Sequence, residues 1–241
     1  MANIVIVHGA FGGGWEWREV ARLLRDRGHD VFTPSLTGFG ERVHLATPET
    51  SLDTHIQDIL NVIRYEDLSD VVLACQSYGG MVVTGVAGRV SERLAHLVYL
   101  NALVPQDGQS VLDLTPPAFR ERFVDTAMAA GDGWRIPVPL FEDDPSIAAF
   151  ARGRYVPTPL RPFTEPIRIG TIPNNLPRTY IWCTEDQEGL AGIPDLMQPF
   201  AERAQRDPHW HFRQLTSIAD AHVQMPETVA TLLDEAARIS E

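Results

Sequence analysis

Residues 71–80 read Val71-Val72-Leu73-Ala74-Cys75-Gln76-Ser77-Tyr78-Gly79-Gly80. The apolar run predicts a buried strand, and the small residues that follow it predict a closely packed helix. Ser77 stands at the apex of the intervening turn. A serine at a sharp strand-to-helix turn is the context of the G-x-S-x-G nucleophile elbow, where the hydroxyl projects above a sheet. Cys75 replaces the first glycine of that pattern, and a structural serine in an ordinary turn is the alternative.

On both sides of this stretch, strands alternate with helices. The hydrophobic pattern predicts strands over residues 3–8, 31–33, 71–75, 94–100, 179–183 and 210–215. It predicts helices over residues 16–27, 54–66, 79–90 and 227–239. This alternation is typical of an α/β protein with a mostly parallel central sheet flanked by helices.

The segment 103–176 interrupts the alternation. Twelve of the 18 prolines lie between Pro105 and Pro177, and its helical pieces, at 117–130 and 145–152, are short. We expect a cap inserted into the core, before the strand that carries the catalytic acid. The expected core then comprises residues 1–102 and 177–241.

A glycine-rich loop follows the first predicted strand: His8-Gly9-Ala10-Phe11-Gly12-Gly13-Gly14-Trp15. Such a loop can turn backbone N–H groups towards a developing oxyanion. A dinucleotide loop is a weaker interpretation, because the next strand ends in Phe32-Thr33-Pro34 without the acidic residue that binds a ribose. A tight turn without a ligand is the other alternative. We expect His8 to hold this loop rather than to act as a base.

A nucleophilic serine needs a base and an orienting carboxylate. His222 lies in a polar loop between the last strand and the last helix, whereas His209 and His211 lie at or in the strand. Asp186 is the first aspartate after the penultimate strand. Glu185 and Asp195 are weaker candidates for the acid, and the sequence predicts the triad Ser77, Asp186 and His222.

Composition excludes several function classes. The net charge is −12, which argues against nucleic-acid binding, and all 20 basic residues are arginine, which excludes Schiff-base and P-loop lysines. Apolar runs are too short for a membrane helix or a signal peptide. Cys75 and Cys183 are expected to be reduced, no His/Cys cluster suggests a metal, and we expect a cytoplasmic protein without a cofactor.

Together these segments resemble the α/β-hydrolase superfamily. The resemblance is closer to the plant methylesterase and hydroxynitrile lyase group and its small bacterial esterase relatives. It is carried by the glycine loop, by residues 157–164, by residues 180–186 and by His222. The resemblance implies an α/β-hydrolase fold, and it implies that the backbone N–H groups of Ala10 and Tyr78 form the oxyanion hole.

The same resemblance bears on the reaction. The similar lyases have a threonine beside the first-strand histidine and a lysine after the catalytic histidine. Gly9 and Val223 occupy those positions here, which favours an esterase. Some bacterial relatives hydrolyse the methyl carbamate of benzimidazole fungicides, so a carbamate or amide hydrolase is the alternative. A hydroxynitrile lyase and a non-catalytic ligand receptor are weaker alternatives.

The expected reaction is hydrolysis of a small, aromatic or hydrophobic ester through an acyl-enzyme on Ser77. Phe11 and Trp134 are candidate walls of the substrate pocket. Phe119, Phe123 and Phe141 could also face it, or could form the core of the cap. The expected partner is a small-molecule substrate, with no nucleic acid and no membrane, and a homodimer is suggested by resemblance alone.

Overall fold

The central feature is a parallel sheet of six strands. The computed structural model describes residues 1–138, 149–185, 196–218 and 220–239. The strands lie in the order β2-β1-β3-β4-β7-β8, and every pair between neighbours is parallel. They are β1 (Asn3–Val7), β2 (Asp30–Phe32), β3 (Val71–Ser77), β4 (Leu94–Ala102), β7 (Arg178–Cys183) and β8 (Trp210–Leu215). The predicted α/β class with a parallel sheet is confirmed.

Helices cover both faces of the sheet. The long ones are α1 (Arg18–Asp26), α2 (Leu52–Tyr65), α3 (Gly79–Val90), α5 (Pro117–Ala130), α7 (Gln198–Arg206) and α9 (Pro226–Ile239), and the short ones are α4 (Val111–Leu114), α6 (Arg161–Thr164) and α8 (Ala221–Gln224). Short 3-10 helices cover Gly14–Trp17, Gly40–Leu45 and Ser91–Arg93. In the described residues, no helix combines the length and apolar character needed to cross a membrane.

Alternation along the central strands divides the core into two clusters. In β3, Leu73 and Cys75 pack in a large cluster with α2, α3 and α5, whereas Val72 and Ala74 pack in a second cluster with α1 and α9. Successive strand residues point to opposite faces, so a strand buried on both sides reads as a continuous apolar run. This double burial explains why the strands lack an alternating polar pattern.

The segment 103–176 contains α4, α5 and α6 with a small antiparallel pair, β5 (Arg135–Ile136) and β6 (Thr158–Pro159). Part of the predicted helix at 145–152 lies outside the described residues. Phe119 and Phe123 are buried with ring centroids 4.1 Å apart, so these two aromatics belong to the core. Phe141 lies outside the described residues.

Candidate active site

Ser77 sits where β3 ends and α3 begins. Its backbone has φ +51°, in the left-handed region that serine rarely adopts. β3 runs two residues further than the sequence predicts, because Gln76 and Ser77 still pair with Leu100 and Ala102 of β4. A strained residue at the carboxyl end of a central strand matches the geometry expected of a nucleophile elbow.

The glycines after Ser77 allow backbone segments to approach closely. A Cβ on Gly79 would lie 2.7 Å from the carbonyl oxygen of Val7, and one on Gly80 would lie 1.9 Å from that of Leu103. Cys75, at the position of the missing first glycine, is buried with its sulfur 3.5 Å from the carbonyl oxygen of Val98. Its side chain is therefore accommodated in the core, and the departure from the motif leaves the turn intact.

The glycine loop lies directly beside this turn. β1 and β3 are neighbours, with Val7 opposite Cys75, so their carboxyl ends are adjacent. A Cβ on Gly9 would lie 2.2 Å from Gln76 Oε1 and 3.2 Å from Ser77 Cβ. Loop and serine turn therefore pack against each other, as an oxyanion site shared between them requires.

His8 organises the loop. Its Nδ1 lies 2.7 Å from the carbonyl oxygen of Gly9, and the N–H of Leu36 donates to its Nε2 at 3.0 Å. Burial lowers the pKa of His8 to about 4. A neutral imidazole with both nitrogens engaged is a structural element, which confirms the role expected for this histidine.

The backbone N–H groups of Ala10 and Tyr78 are the two donors expected to form the oxyanion hole. Among the described residues, neither the N–H of Ala10 nor that of Tyr78 makes a hydrogen bond. The Tyr78 side chain is fixed by a 2.7 Å hydrogen bond between its hydroxyl and His55 Nδ1, and its ring stacks on Phe163 at 5.1 Å.

His222 lies in α8 and is 2% exposed. Its ring stacks on Trp17, with centroids 4.5 Å apart and planes inclined by 16°. Within the described part of the chain neither ring nitrogen has a hydrogen-bond partner. Burial, with a smaller contribution from His8, lowers the pKa of His222 to about 3. The imidazole is therefore neutral, the form that a general base needs.

The predicted acid, Asp186, and the weaker candidate Asp195 lie outside the described residues. The two residues before Asp186 are held by backbone hydrogen bonds. The N–H of Thr184 donates to the carbonyl oxygen of Leu215 at 2.8 Å, and the N–H of Glu185 donates to that of Ser217 at 3.1 Å. These bonds hold the segment after β7 beside the end of β8, a few residues before His222. The side chain of Glu185 is exposed.

The candidate pocket residues differ in their surroundings. Phe11 is 7% exposed, with φ +67°, and belongs to the large core cluster. Trp134 is half-buried, with the Arg135 guanidinium 4.9 Å from its ring centroid. Neither residue lines the cavity of about 210 Å³ beside His222, whose walls include Trp15, Glu16, Phe150, Arg154 and Val223. Val223 gives this cavity an apolar wall next to the histidine.

Sequence reasoning missed two polar residues here. The sequence pattern marks Glu16 only as the start of a helix, and it does not single out Tyr155. The structure joins them with a 2.6 Å hydrogen bond, under the glycine loop. A carboxylate between two tryptophans, directly after three glycines, was a signal that could have identified Glu16. No group of three or more potential metal ligands is found among the described residues.

Comparisons with known proteins identify the family of this chain. A family model described as "Alpha/beta hydrolase family" matches residues 4–232. The chain is 36% identical over 244 residues to a carbendazim hydrolyzing esterase from Nocardioides sp. (strain SG-4G), covering 97% of this chain and 98% of the relative.

Solved structures give the same result. An extracellular alpha/beta-hydrolase from a Paenibacillus species superposes with a TM-score of 0.81 at 25% identity, covering 99% of this chain and all of that one. It is described as sharing structural and functional homology with tobacco salicylic acid binding protein 2. A methylesterase from Arabidopsis has a TM-score of 0.72 at 19% identity, covering 99% of this chain and all of its own, and this likeness supports the fold.

Proposed function

Because this chain belongs to the alpha/beta hydrolase family and has esterases among its relatives, we propose that it is a serine hydrolase acting through an acyl-enzyme on Ser77. The observation that carries the proposal is the left-handed Ser77 at the end of β3, packed against the glycine loop. In the described residues, the Ala10 N–H of that loop makes no backbone hydrogen bond. A strained backbone with adjacent N–H donors has a clear use in acyl transfer.

In the proposed reaction, His222 takes the proton from Ser77 as the hydroxyl attacks the substrate carbonyl. Asp186 holds the imidazole in the correct tautomer and stabilises the imidazolium. The N–H groups of Ala10 and Tyr78 stabilise the negative oxygen of the tetrahedral intermediate. His222 then protonates the leaving group, and water releases the acyl group by the same steps.

The substrate class we propose is a small aromatic or hydrophobic ester. The apolar Val223 beside the buried His222 supports this class, because it offers an apolar contact next to the proposed base. The other walls of that cavity include the charged residues Glu16, Arg18, Glu19 and Arg154. Val223 also argues against a cyanohydrin lyase, since its uncharged, apolar side chain cannot stabilise a departing cyanide ion. We extend the proposal to a reducing, cytoplasmic location, because the buried Cys75 and Cys183 are not joined in a disulfide.

Carbamate hydrolysis is a second candidate. It is favoured by the 36% identity, over nearly the whole chain, to a relative named for hydrolysing carbendazim. The same triad could attack a carbamate carbonyl, with the leaving group departing as an amine or an alcohol.

A hydrolysis panel tests the proposal. Aryl esters, methyl esters, carbamates and amides are compared for the wild type and for Ser77→Ala. We expect Ser77→Ala to lower kcat by about 10⁶-fold, by analogy with other triad hydrolases. Retention of a tenth of the wild-type rate would exclude Ser77 as the nucleophile. Labelling of Ser77 by a fluorophosphonate separates an enzyme from a non-catalytic receptor.

A further inference from the structure

A buried carboxyl group lies against the glycine loop. Glu16, in the 3-10 helix Gly14–Trp17, is 7% exposed. The N–H of Gly13 donates to its Oε2 at 3.0 Å. A Cβ on Gly12 would lie 1.8 Å from the same oxygen, so the carboxyl packs directly on the loop backbone. Burying an ionisable group costs free energy unless the group is neutral or hydrogen-bonded, so a buried glutamate at this position points to a specific role.

The other carboxyl oxygen faces the 103–176 segment. The hydroxyl of Tyr155 donates to Glu16 Oε1 at 2.6 Å. Nearby, the N–H of Val156 donates to the carbonyl oxygen of Phe11 at 2.9 Å, and the N–H of Phe11 donates to Thr158 Oγ1 at 3.1 Å. Residues 155–158 are thus tied to the loop at Phe11, the residue directly after Ala10, and through Glu16.

We propose that Glu16 is a positioning residue for acyl transfer: its carboxyl joins the glycine loop to Tyr155 and fixes the direction of the Ala10 N–H. The inference rests on the proposed function, since it assigns a use to the Ala10 donor. Glu16 lines the same cavity as His222, but the role proposed for it is exerted on the loop. It acts by holding the loop in place before the substrate arrives, and such preorganisation is where oxyanion sites gain their effect.

The charge of Glu16 provides a diagnostic. Burial raises its pKa to about 8, opposed by the hydrogen bonds from Tyr155 and Gly13 and by Arg154, and reinforced by Asp220. His222 lines the same cavity. The carboxyl is therefore protonated at neutral pH and gains a negative charge above about pH 8. A negative charge in the loop opposes the oxyanion, so the rate should fall across that range.

Four variants test the proposal: Glu16→Gln, Glu16→Leu, Tyr155→Phe, and Glu49→Gln as an exposed control. Glutamine has no charge at any pH, and it can accept from the Gly13 N–H through its oxygen while its NH2 group donates to the Tyr155 hydroxyl. We measure kcat and KM on one aryl ester across the pH range, the rate of labelling by a fluorophosphonate, and thermal unfolding.

We expect Glu16→Leu to lower kcat by about 10- to 100-fold, less than the loss of an oxyanion donor, with KM within about 3-fold. Labelling should slow in parallel. Tyr155→Phe should lower kcat by a smaller factor. Glu16→Gln should keep the neutral-pH rate within about 3-fold and lose the decline above pH 8. The control should match the wild type.

Three outcomes would overturn the inference: an unchanged kcat in a folded Glu16→Leu, an unchanged kcat in Tyr155→Phe, or a decline above pH 8 that persists in Glu16→Gln. If Glu16→Leu fails to fold, the results for Tyr155→Phe and Glu16→Gln still test the inference. A wild type that hydrolyses nothing in the panel would overturn the proposed function itself. A hydrolysing wild type with indifferent variants would overturn this inference alone.

Discussion

Ser77 has an unfavourable backbone conformation that is stabilised by contacts with the neighbouring strand. A left-handed conformation costs a non-glycine residue about 1–2 kcal/mol. Its carbonyl oxygen accepts a hydrogen bond from the N–H of Leu103 at 3.1 Å, and the neighbouring β4 contains a second left-handed residue, Asn101. The ends of the two central strands thus hold each other in conformations that neither would adopt alone.

The close approach at Gly80 should be intolerant of a side chain. Gly80→Ala places a Cβ 1.9 Å from a backbone oxygen that cannot rotate away. We expect it to destabilise the fold by about 3 kcal/mol or more, measured by chemical unfolding. Gly108→Ala is the control, because its φ is +81° but nothing lies within 4 Å. It should cost only about 1–2 kcal/mol. Equal losses would contradict a steric origin.

Asp186→Asn should shift the acidic limb of the pH–rate profile. Burial and His8 both lower the pKa of His222, and a carboxylate bonded to its ring would raise it. Removing that charge should move the limb of kcat/KM to lower pH and reduce the plateau. Glu185→Gln, an exposed neighbour, should leave the limb in place. The opposite result would transfer the acid role to Glu185.

The sequence can single out a residue when the evidence for its role lies in its own neighbourhood along the chain. Ser77 and His222 follow from a strand, a turn and chain order. Glu16 does not, because its importance depends on Tyr155, 139 residues away. His55 is a second example. Its position in the sequence indicates only the interior of a helix, yet its side chain in α2 forms a hydrogen bond with the hydroxyl of Tyr78, just before α3.

Element boundaries depend on contacts that periodicity does not contain. Helix α2 begins at Leu52 rather than at the predicted residue 54, because Ser51 caps it by accepting a hydrogen bond from the N–H of Thr54 at 3.1 Å. β3 continues to Ser77 because β4 offers partners. By contrast, α3 has the predicted limits, since its small-residue composition and flanking turn are both local.

The α2 cap gives a prediction for an element. Ser51→Ala should lower the free energy of unfolding by about 1 kcal/mol, because the N–H of Thr54 loses its acceptor. Ser51→Thr keeps a hydroxyl and should lose only a fraction of that. A stability change equal in both variants would show that the hydroxyl is not the source of the effect.

For the whole molecule, buried histidines should control stability in acid. Burial lowers the pKa of His8, His55 and His96 to about 4 and that of His222 to about 3, from 6.5. The unfolded chain therefore binds more protons between about pH 4 and pH 6.5. Stability is complete above 6.5 and should fall as the pH drops, by about 1.4 kcal/mol per pH unit for each histidine.

Glu16 affects the pH dependence of stability in the opposite direction to the buried histidines. Its raised pKa, about 8, means that the folded chain binds the extra proton from about pH 4.5 upwards, so its contribution is lost as the pH rises towards 8. We expect the melting temperature to peak near pH 6.5. Glu16→Gln should remove the decline between pH 6.5 and 8, measured by thermal unfolding. A wild-type melting temperature that is flat over that interval would contradict the buried state of Glu16.

The hydrogen bonds between residues 155–158 and the glycine loop have a consequence for recombining related enzymes. Exchanging residues 103–176 between related chains is one way to try to change the substrate range. Here a grafted segment would also replace the hydroxyls of Tyr155 and Thr158, which the loop uses. Chimeras that keep the host's residues 155–158, or transplant residues 9–16 together with the segment, should retain turnover where simple exchanges lose it. Residues 9–16 and residues 155–158 should therefore be exchanged together, although they are far apart in the sequence.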